Sequence, residues 1–381
     1  MNPQIDKMTS FMVMDVLEKA NELQSEGISV IHLEVGEPDF NMPECIKKAE
    51  IEAVSSHLTH YTNSLGDPEL REEIAKFYNK EYGVNVDPNC VLVTSGSSPA
   101  IYMTLMLLCE AGSEVIMPNP GYSCYKNFSL AVNANPVLVK LRADNDFEYN
   151  IDDIKKSITP KTRAIFVNSP SNPIGDLLSE DFFKKIVKLG LPVLSDEIYH
   201  GIVYGKGKTH SILEYSNDAF VFNGFSKRFA MTGLRLGYVI APEKYMRSLQ
   251  KIQQNLFICA PSTTQRAGLA ALKYANSDVI KMREIYNKRR IYMIKRLKNM
   301  GLHICSEPLG AFYMFIDVRK YTSDSYKFAF DVLDNAHVGV TPGVDFGSEG
   351  EGFIRLSYAN SLENIKEGLD RLENYFSSLK I

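Results

Sequence analysis

The sequence has no excess of charge of either sign, and this absence excludes several classes of partner. Its 381 residues include 42 Lys and Arg against 46 Asp and Glu, which gives a formal net charge of −4 at pH 7. The basic residues are spread along the chain rather than clustered. We therefore expect no nucleic acid and no anionic membrane surface as a partner.

Long apolar runs and cysteine pairs are missing as well. The longest apolar run, around residues 105–109, is far shorter than the roughly 20 residues that span a bilayer. The N-terminal segment lacks a charged-then-apolar leader. The six cysteines form no C-x-x-C pair, and the closest two are Cys109 and Cys124. These absences predict a soluble, cytoplasmic protein with reduced, buried thiols.

Two familiar cofactor motifs are also absent. No G-x-G-x-x-G occurs, so a nicotinamide dehydrogenase has no support. The seven histidines show no metal-ligand spacing, since His57 and His60 lie three apart without a third ligand nearby. We expect no metal site.

Short apolar, β-rich runs alternate with helical stretches through the middle of the chain. The runs cover residues 90–94, 114–117, 164–167, 191–194, 219–222 and 238–240. Such runs predict an α/β fold with a mostly parallel, mixed sheet sandwiched by helices. Ligands of such sheets bind beyond the carboxyl ends of the strands, which is where the unusual polar residues of this sequence fall.

The terminal parts of the chain differ from the middle. A basic amphipathic helix is predicted over residues 278–300, followed by short strands and a final helix at 362–379. An early helix is predicted at 13–26. We therefore expect a large domain at 45–277 and a smaller α+β domain built from 1–44 and 278–381.

The sharpest local signal is the segment G-F-S-K-R-F-A-M-T-G-L-R-L-G, residues 224–237. Lys227 ends an apolar strand in a glycine-rich turn, where desolvation lowers the pKa of an amine and makes it a Schiff-base nucleophile. Arg235 lies between small and apolar residues, where a guanidinium suits a bidentate phosphate contact.

This segment resembles the pyridoxal-phosphate attachment signature of class-I/II aminotransferases, the aspartate-aminotransferase-like group of fold type I. The resemblance implies pyridoxal 5′-phosphate (PLP) as cofactor, bound to Lys227 as a Schiff base, with Ser226 adding a hydroxyl. In S-D-E-I-Y, it implies that Asp196 is the partner of the pyridine nitrogen. It also implies that Tyr199 bonds the phenolic oxygen of the cofactor.

Other motifs match the family in the same order along the chain. The loop S-P-S-N-P-I-G resembles its S-P-x-N-P-x-G loop, which implies that Asn172 approaches the phenolic oxygen and the substrate. The segment T-S-G-S-S-P-A opens a helix after a strand, and a helix N-terminus binds anions. Gly96, Ser97 and Ser98 are therefore the expected phosphate contacts, and Tyr122 occupies the position that stacks on the cofactor.

Substrate and subunit contacts follow from the same resemblance. F-I-R-L-S-Y-A resembles the C-terminal R-x-S-x-A strand, which implies that Arg355 binds the substrate α-carboxylate. The segment V-G-E-P-D, which contains Gly36, resembles the N-terminal loop whose backbone approaches that carboxylate in the family. The side chains of Phe11 and Val13 are expected to line the entrance of the active site. Tyr61 implies a homodimer with shared sites, because in the family this tyrosine reaches the phosphate of the neighbouring subunit.

The resemblance covers about residues 30 to 360 and implies reversible ping-pong transfer of an α-amino group between an amino acid and a 2-oxo acid. Glutamate and 2-oxoglutarate are an expected couple. The alternative is a fold-type-I PLP lyase that catalyses β-elimination from the same residues. Alanine, aspartate, aromatic and diaminopimelate substrates remain open. Ser98 stands where one aspartate-specific branch of the family has a lysine near the distal carboxylate of the substrate. The serine argues against that mode of aspartate recognition.

Overall fold

The computed structural model describes residues 3–379, so residues 1–2 and 380–381 of the expected smaller domain lie outside the described part. Thirteen strands form three sheets in the described chain. They are β1 Ile31–His32, β2 Val91–Thr94, β3 Glu114–Asn119, β4 Asn135–Lys140, β5 Thr162–Asn168, β6 Val193–Asp196, β7 Phe220–Gly224, β8 Gly237–Ile240, β9 His303–Ile304, β10 Tyr313–Asp317, β11 Val338–Gly339, β12 Thr341–Pro342 and β13 Phe353–Ser357.

Twelve α-helices connect these strands between residues 3 and 379. They are α1 Met12–Ser25, α2 Glu44–Ser55, α3 Pro68–Tyr82, α4 Ser97–Leu108, α5 Cys124–Ala131, α6 Ile151–Lys156, α7 Glu180–Ile186, α8 Glu243–Leu256, α9 Ser262–Tyr274, α10 Asn276–Asn299, α11 Ser325–Ala336 and α12 Leu362–Ser378. The predicted helices at 13–26, 278–300 and 362–379 correspond to α1, α10 and α12, with ends shifted by one or two residues.

The large sheet has seven strands in the order β2-β8-β7-β6-β5-β3-β4. Strands β7, β6, β5, β3 and β4 pair in parallel, whereas β8 runs antiparallel to both of its neighbours. The carboxyl ends of β5, β6 and β7 therefore lie side by side at one edge. The expected mostly parallel, mixed sheet is confirmed.

Both faces of this sheet are buried because helices cover each of them. Along β2 and β7 the side chains alternate between two apolar clusters: Val91 and Val221 belong to one cluster, whereas Leu92 and Phe222 belong to the other. A strand that is buried on both faces reads as a continuous apolar run, which is why the sequence pattern located these strands.

The four-stranded sheet is antiparallel, in the order β12-β13-β10-β9. Beside it, β1 from the N-terminal part pairs in parallel with β11 from the C-terminal part, with Ile31 opposite Val338. Helix α12 contacts both β1 and α11. The two terminal segments thus pack together, while the exact domain limits at 44/45 and 277/278 stay a prediction.

All six cysteines are free, and each is partly exposed. The expectation of buried thiols was therefore wrong, and Cys45, Cys90, Cys109 and Cys305 lie at the margins of apolar clusters rather than inside them. No helix within residues 3–379 is long and apolar enough to cross a membrane. The same residues contain no group of His, Cys, Asp and Glu side chains arranged to hold a metal ion.

Candidate active site

A cavity of about 400 Å³ lies at the carboxyl ends of β5, β6 and β7. It is lined by most of the side chains that the sequence motifs single out, and also by Phe11 and Val13 at the predicted entrance. The predicted site residues that line it are Gly36, Ser97, Ser98, Tyr122, Asn172, Asp196, Tyr199, Ser226, Lys227, Arg235 and Arg355.

Lys227 follows β7 and is partly buried. Its Nζ donates a hydrogen bond of 2.6 Å to the carbonyl oxygen of Gly36. Burial lowers the pKa of Lys227 to about 8, the Glu37 and Asp196 carboxylates oppose this shift, and the Arg355 and Arg235 guanidiniums add to it. A substantial fraction of the amine is therefore neutral near pH 8, which a nucleophile requires.

Asp196 ends β6 and is 4% exposed. One carboxylate oxygen accepts a hydrogen bond of 2.6 Å from the Tyr125 hydroxyl, and the other accepts one of 3.1 Å from the backbone N–H of Ile198. Burial raises the pKa of Asp196 to about 6, although both hydrogen bonds and the Lys227 charge oppose this rise. The carboxylate is held in a fixed position, with Lys227 as a nearby cation.

An anion cradle lies where β2 leads into α4. Gly96 precedes the helix with a φ of +98°, a conformation that favours glycine, and no side chain caps the first-turn N–H groups. A Cβ on Gly96 would lie 2.5 Å from Arg235 Nη2, and a Cβ on Gly237 would lie 2.6 Å from the Ser97 nitrogen. Gly96 itself does not line the cavity, and Arg235 is exposed. The Nη1 of Arg235 donates a hydrogen bond of 2.9 Å to the carbonyl oxygen of Thr232.

Arg355 lies on β13 and is 2% exposed. Its Nη1 donates to Asn172 Oδ1 at 2.9 Å, and its Nη2 donates to the carbonyl of Glu34 at 2.6 Å and to Thr341 Oγ1 at 3.1 Å. The buried Nε finds no acceptor among the described residues. The ring of Tyr313 lies 4.2 Å from the guanidinium carbon. Arg355 is thus a cation held in a fixed orientation at the cavity.

The hydroxyls of Tyr199 and Tyr313 lie 2.7 Å apart, and burial raises the pKa of both phenols. The Tyr313 hydroxyl also lies so close to Gly36 that a Cβ there would be 2.3 Å from it. Gly36 is therefore required by this close approach. Tyr122 packs edge-on against Tyr125, with ring centroids 5.2 Å apart.

Tyr61, like Gly96, is a predicted site residue that does not line the cavity. It is 78% exposed and does not line the site. Its predicted role therefore depends on a second copy of the chain.

Ten of the lining residues were not predicted from the sequence: Met14, Leu17, Val35, Glu37, Tyr125, Asn168, Ile198, Thr232, Gly233 and Tyr313. Tyr125 follows the predicted stacking residue Tyr122 by three positions, and this helical spacing could have indicated that both face the site. Tyr313 lies on β10, where Phe315 pairs with Arg355. Tyr313 is therefore a same-face diagonal neighbour of Arg355, which only the strand register reveals.

The comparisons with known proteins agree with this geometry. A family model described as aminotransferase class I and II matches residues 28–372. The chain belongs to this family. It is 40% identical to a (5-formylfuran-3-yl)methyl phosphate transaminase of Methanocaldococcus jannaschii, over 97% of each protein. It is 36% identical to an aspartate aminotransferase of Pyrococcus horikoshii, over 95% of this chain and 93% of that one.

Solved structures show the same likeness. The Thermus thermophilus aspartate aminotransferase with maleate superposes with a TM-score of 0.94 at 31% identity, covering 98% of this chain and 99% of that one. A Methanococcus jannaschii protein described as similar in its active site to kynurenine aminotransferases gives a TM-score of 0.91 at 39% identity, covering 98% and 99%. The chain is thus a transaminase that uses PLP, and the named relatives favour transamination over the lyase alternative.

The residues present fit PLP. A Cβ on Gly96 would meet Arg235 Nη2, so a glycine lets the Arg235 guanidinium approach the start of α4, and both a guanidinium and helix N–H groups are donors that suit a phosphate. The cavity places an amine with a lowered pKa and a buried carboxylate together, which are the groups that a pyridine aldehyde requires.

Proposed function

We propose that Lys227 carries the cofactor of this transaminase and that the cavity residues divide the remaining tasks. Asp196 would pair with the pyridine nitrogen, Tyr199 and Asn172 with the phenolic oxygen, and Tyr122 with the ring face. Gly96, Ser97, Ser98, Ser226 and Arg235 would hold the phosphate. The observation that carries this proposal is one cavity that contains both the Lys227 amine and the buried Asp196 carboxylate.

Bound PLP supplies an electron sink for the charge that develops at the substrate α-carbon. The chain supplies the proton transfer and the orientation. Nζ of Lys227, with its pKa lowered to about 8, can accept a proton at the α-carbon and return it within the same site. Asp196 stays in place through the Tyr125 hydroxyl and the Ile198 N–H, so its charge requires no rearrangement.

Arg355 would bind the α-carboxylate of the substrate through its guanidinium. Its bonds to Asn172 and Glu34 fix its orientation before the substrate arrives. The substitution Arg355→Lys keeps the charge and loses the planar fork, so we expect KM for amino acids to rise at least 10-fold with cofactor affinity unchanged. Loss of cofactor affinity with KM unchanged would contradict this assignment.

A homodimer with shared sites is the second part of the proposal. Tyr61 is exposed, and so are the apolar side chains of Val54 and Leu58, which precede it by seven and three residues in the sequence. The hydrogen bond from Ser262 Oγ to the Leu58 carbonyl links this segment to the start of α9. Exposed apolar side chains in one region favour a protein partner over solvent. We propose that a second copy covers this surface and brings its Tyr61 to the phosphate.

Mixing of two inactive variants tests the dimer. Tyr61→Ala and Lys227→Ala damage different halves of a shared site, so a mixed dimer contains one intact site and should recover up to about a quarter of wild-type activity under statistical mixing. Monomers in sedimentation, or no recovery after subunit exchange, would contradict the shared site.

The reaction itself is tested in half-reactions. Adding an amino acid should remove the absorbance of the lysine-bound cofactor, and adding a 2-oxo acid should restore it. In a separate assay with cystathionine as substrate, the enzyme should release no pyruvate. The glutamate/2-oxoglutarate couple stays a prediction that this assay checks when 2-oxoglutarate is supplied to the aminated enzyme. β-Elimination as the faster reaction would favour the lyase alternative.

A further inference from the structure

We propose that the amino donor of this transaminase carries an uncharged, apolar side chain, and that the face of α1 over the cavity selects it. The inference rests on the proposed roles of Lys227 and Arg355. It concerns the donor alone and leaves the oxo-acid acceptor open.

The cavity has an apolar wall, formed by Phe11, Val13, Met14 and Leu17. Val13, Met14 and Leu17 lie one and four positions apart, which places them on one face of α1. Phe11 precedes the helix, and its ring meets Tyr122 edge-on with centroids 6.1 Å apart. The wall therefore begins at the proposed cofactor-stacking ring and extends to the cavity entrance.

The wall is fixed to the rest of the protein. The backbone N–H of Thr9 donates to Asn127 Oδ1 at 3.4 Å, and Asn127 Nδ2 donates back to the Thr9 carbonyl at 3.1 Å. Phe11 supplies no side-chain cap for α1, but the Met12 N–H donates to Asp345 Oδ1 at 3.1 Å. Asp345 is 5% exposed, so the start of the helix is capped from inside the protein. The apolar face thus has a defined position over the cavity.

Within residues 3–379 of one chain, the cavity offers no further basic side chain to a second carboxylate. Among the described residues, three basic side chains line the cavity: Lys227, Arg235 and Arg355. Each already has a partner in the proposed function, namely the cofactor aldehyde, its phosphate and the substrate α-carboxylate. Ser98 also lines the cavity and is uncharged.

Glu37 adds an acidic side chain to the cavity lining. Glu37 follows Gly36 and accepts a hydrogen bond from the Thr232 hydroxyl, and both residues line the cavity. A substrate side-chain carboxylate would therefore enter a cavity that contains an apolar wall and the Glu37 carboxylate. Losing water without gaining a cation is unfavourable for a carboxylate, whereas an apolar side chain gains by leaving water.

Leucine and aspartate have side chains of the same shape, because the two methyl groups of leucine occupy the positions of the two carboxylate oxygens of aspartate. Comparing them therefore tests charge at nearly constant size. We expect kcat/KM in the first half-reaction, followed by loss of the absorbance of the lysine-bound cofactor, to be at least 10-fold higher for leucine. Phenylalanine should resemble leucine. Equal or faster reaction of aspartate would overturn the inference while leaving the transaminase assignment intact.

A binding measurement separates selection from chemistry. The unreactive pair 4-methylpentanoate and succinate has the same isosteric relation, and we expect 4-methylpentanoate to bind at least 10-fold more tightly to the holoenzyme. Tighter binding of succinate would contradict the apolar wall. Failure of every amino acid to react, with no cofactor trapped on Lys227, would instead overturn the proposed function and this inference with it.

Placing a cation on the wall should reverse the preference. Leu17→Lys should shift the leucine/aspartate ratio of kcat/KM toward aspartate by at least 10-fold, whereas Gln24→Lys on the exposed part of the same helix should leave the ratio at its wild-type value. Glu37→Gln should lower the ratio several-fold, with Glu26→Gln as its matched control. An unchanged ratio in both Leu17→Lys and Glu37→Gln would show that neither the α1 wall nor the Glu37 carboxylate selects the donor.

Discussion

The hydrogen bond from Tyr125 to Asp196 offers a sharp prediction, because it links a residue without a motif to the proposed partner of the pyridine nitrogen. Tyr125 is 1% exposed, its ring stacks on Phe166 with centroids 4.5 Å apart, and its hydroxyl lies 2.6 Å from Asp196 Oδ2. Tyr125→Phe removes the donor and keeps the stacked ring.

The size of the effect follows from the geometry. A hydrogen bond to a charged group contributes about 1.5–3 kcal/mol, which corresponds to roughly one to two pH units at 1.36 kcal/mol per unit. The pKa of Asp196, now about 6, should rise by that amount. The carboxylate would then be protonated over more of the acidic range, where it no longer stabilises a protonated ring nitrogen.

The assay is the pH profile of kcat/KM for one amino acid, together with a pH titration of the cofactor absorbance. We expect the acidic limb of Tyr125→Phe to move upward by roughly one pH unit or more, with the largest loss of activity below pH 7. Tyr358→Phe is the matched control, since its buried hydroxyl donates to the Ala311 carbonyl away from the cavity. An acidic limb at the same pH in wild type and Tyr125→Phe would refute this role.

Three further predictions concern the amine, the cradle and the fold. The rate at which apoenzyme captures PLP should rise with pH through a midpoint near 8, because the neutral Lys227 amine is the nucleophile, and a midpoint near that of free lysine would contradict this. Gly96→Ala should weaken PLP binding at least 10-fold because its Cβ meets Arg235. The control Gly112→Ala has a similar φ of +85° but open space around its Cβ, so backbone strain should lower its stability without changing PLP affinity. Asp39→Asn should lower the free energy of unfolding by about 2 kcal/mol, since it removes the carboxylate charge and one of the two hydrogen bonds from the buried Arg289. The control Asp153→Asn removes an exposed ion pair with Lys156 and should lower the free energy of unfolding, measured with denaturant, by at most about 0.5 kcal/mol. Equal losses in the two variants would show that the pair with Arg289 is no stronger than an exposed one.

The sequence located the parts of the site that local patterns encode. Asp196, Asn172 and Lys227 each follow an apolar strand, and their approach at one sheet edge was predictable because carboxyl ends of parallel strands coincide. The same pattern identified the large sheet, since its strands are buried on both faces and appear as continuous apolar runs.

The parts that escaped prediction depend on contacts between distant segments. Tyr313 reaches the site through the register of β10 on β13, and Asp345 caps α1 across more than three hundred residues of chain. The pairing of β1 with β11 involves two residues on each strand, too few to give an alternating pattern. The partial exposure of the cysteines likewise depends on packing that their apolar neighbours in sequence do not specify.

The covalent attachment of the cofactor to Lys227 is the central claim, and peptide mapping tests it most directly. Borohydride reduction of the PLP-loaded enzyme fixes the cofactor on the nitrogen that holds it, and digestion with mass spectrometry identifies the modified peptide. We predict a single phosphopyridoxyl group on the peptide that contains Lys227, and none there after reduction of Lys227→Ala. A modified peptide that contains another lysine, or no modified peptide at all, would contradict the account.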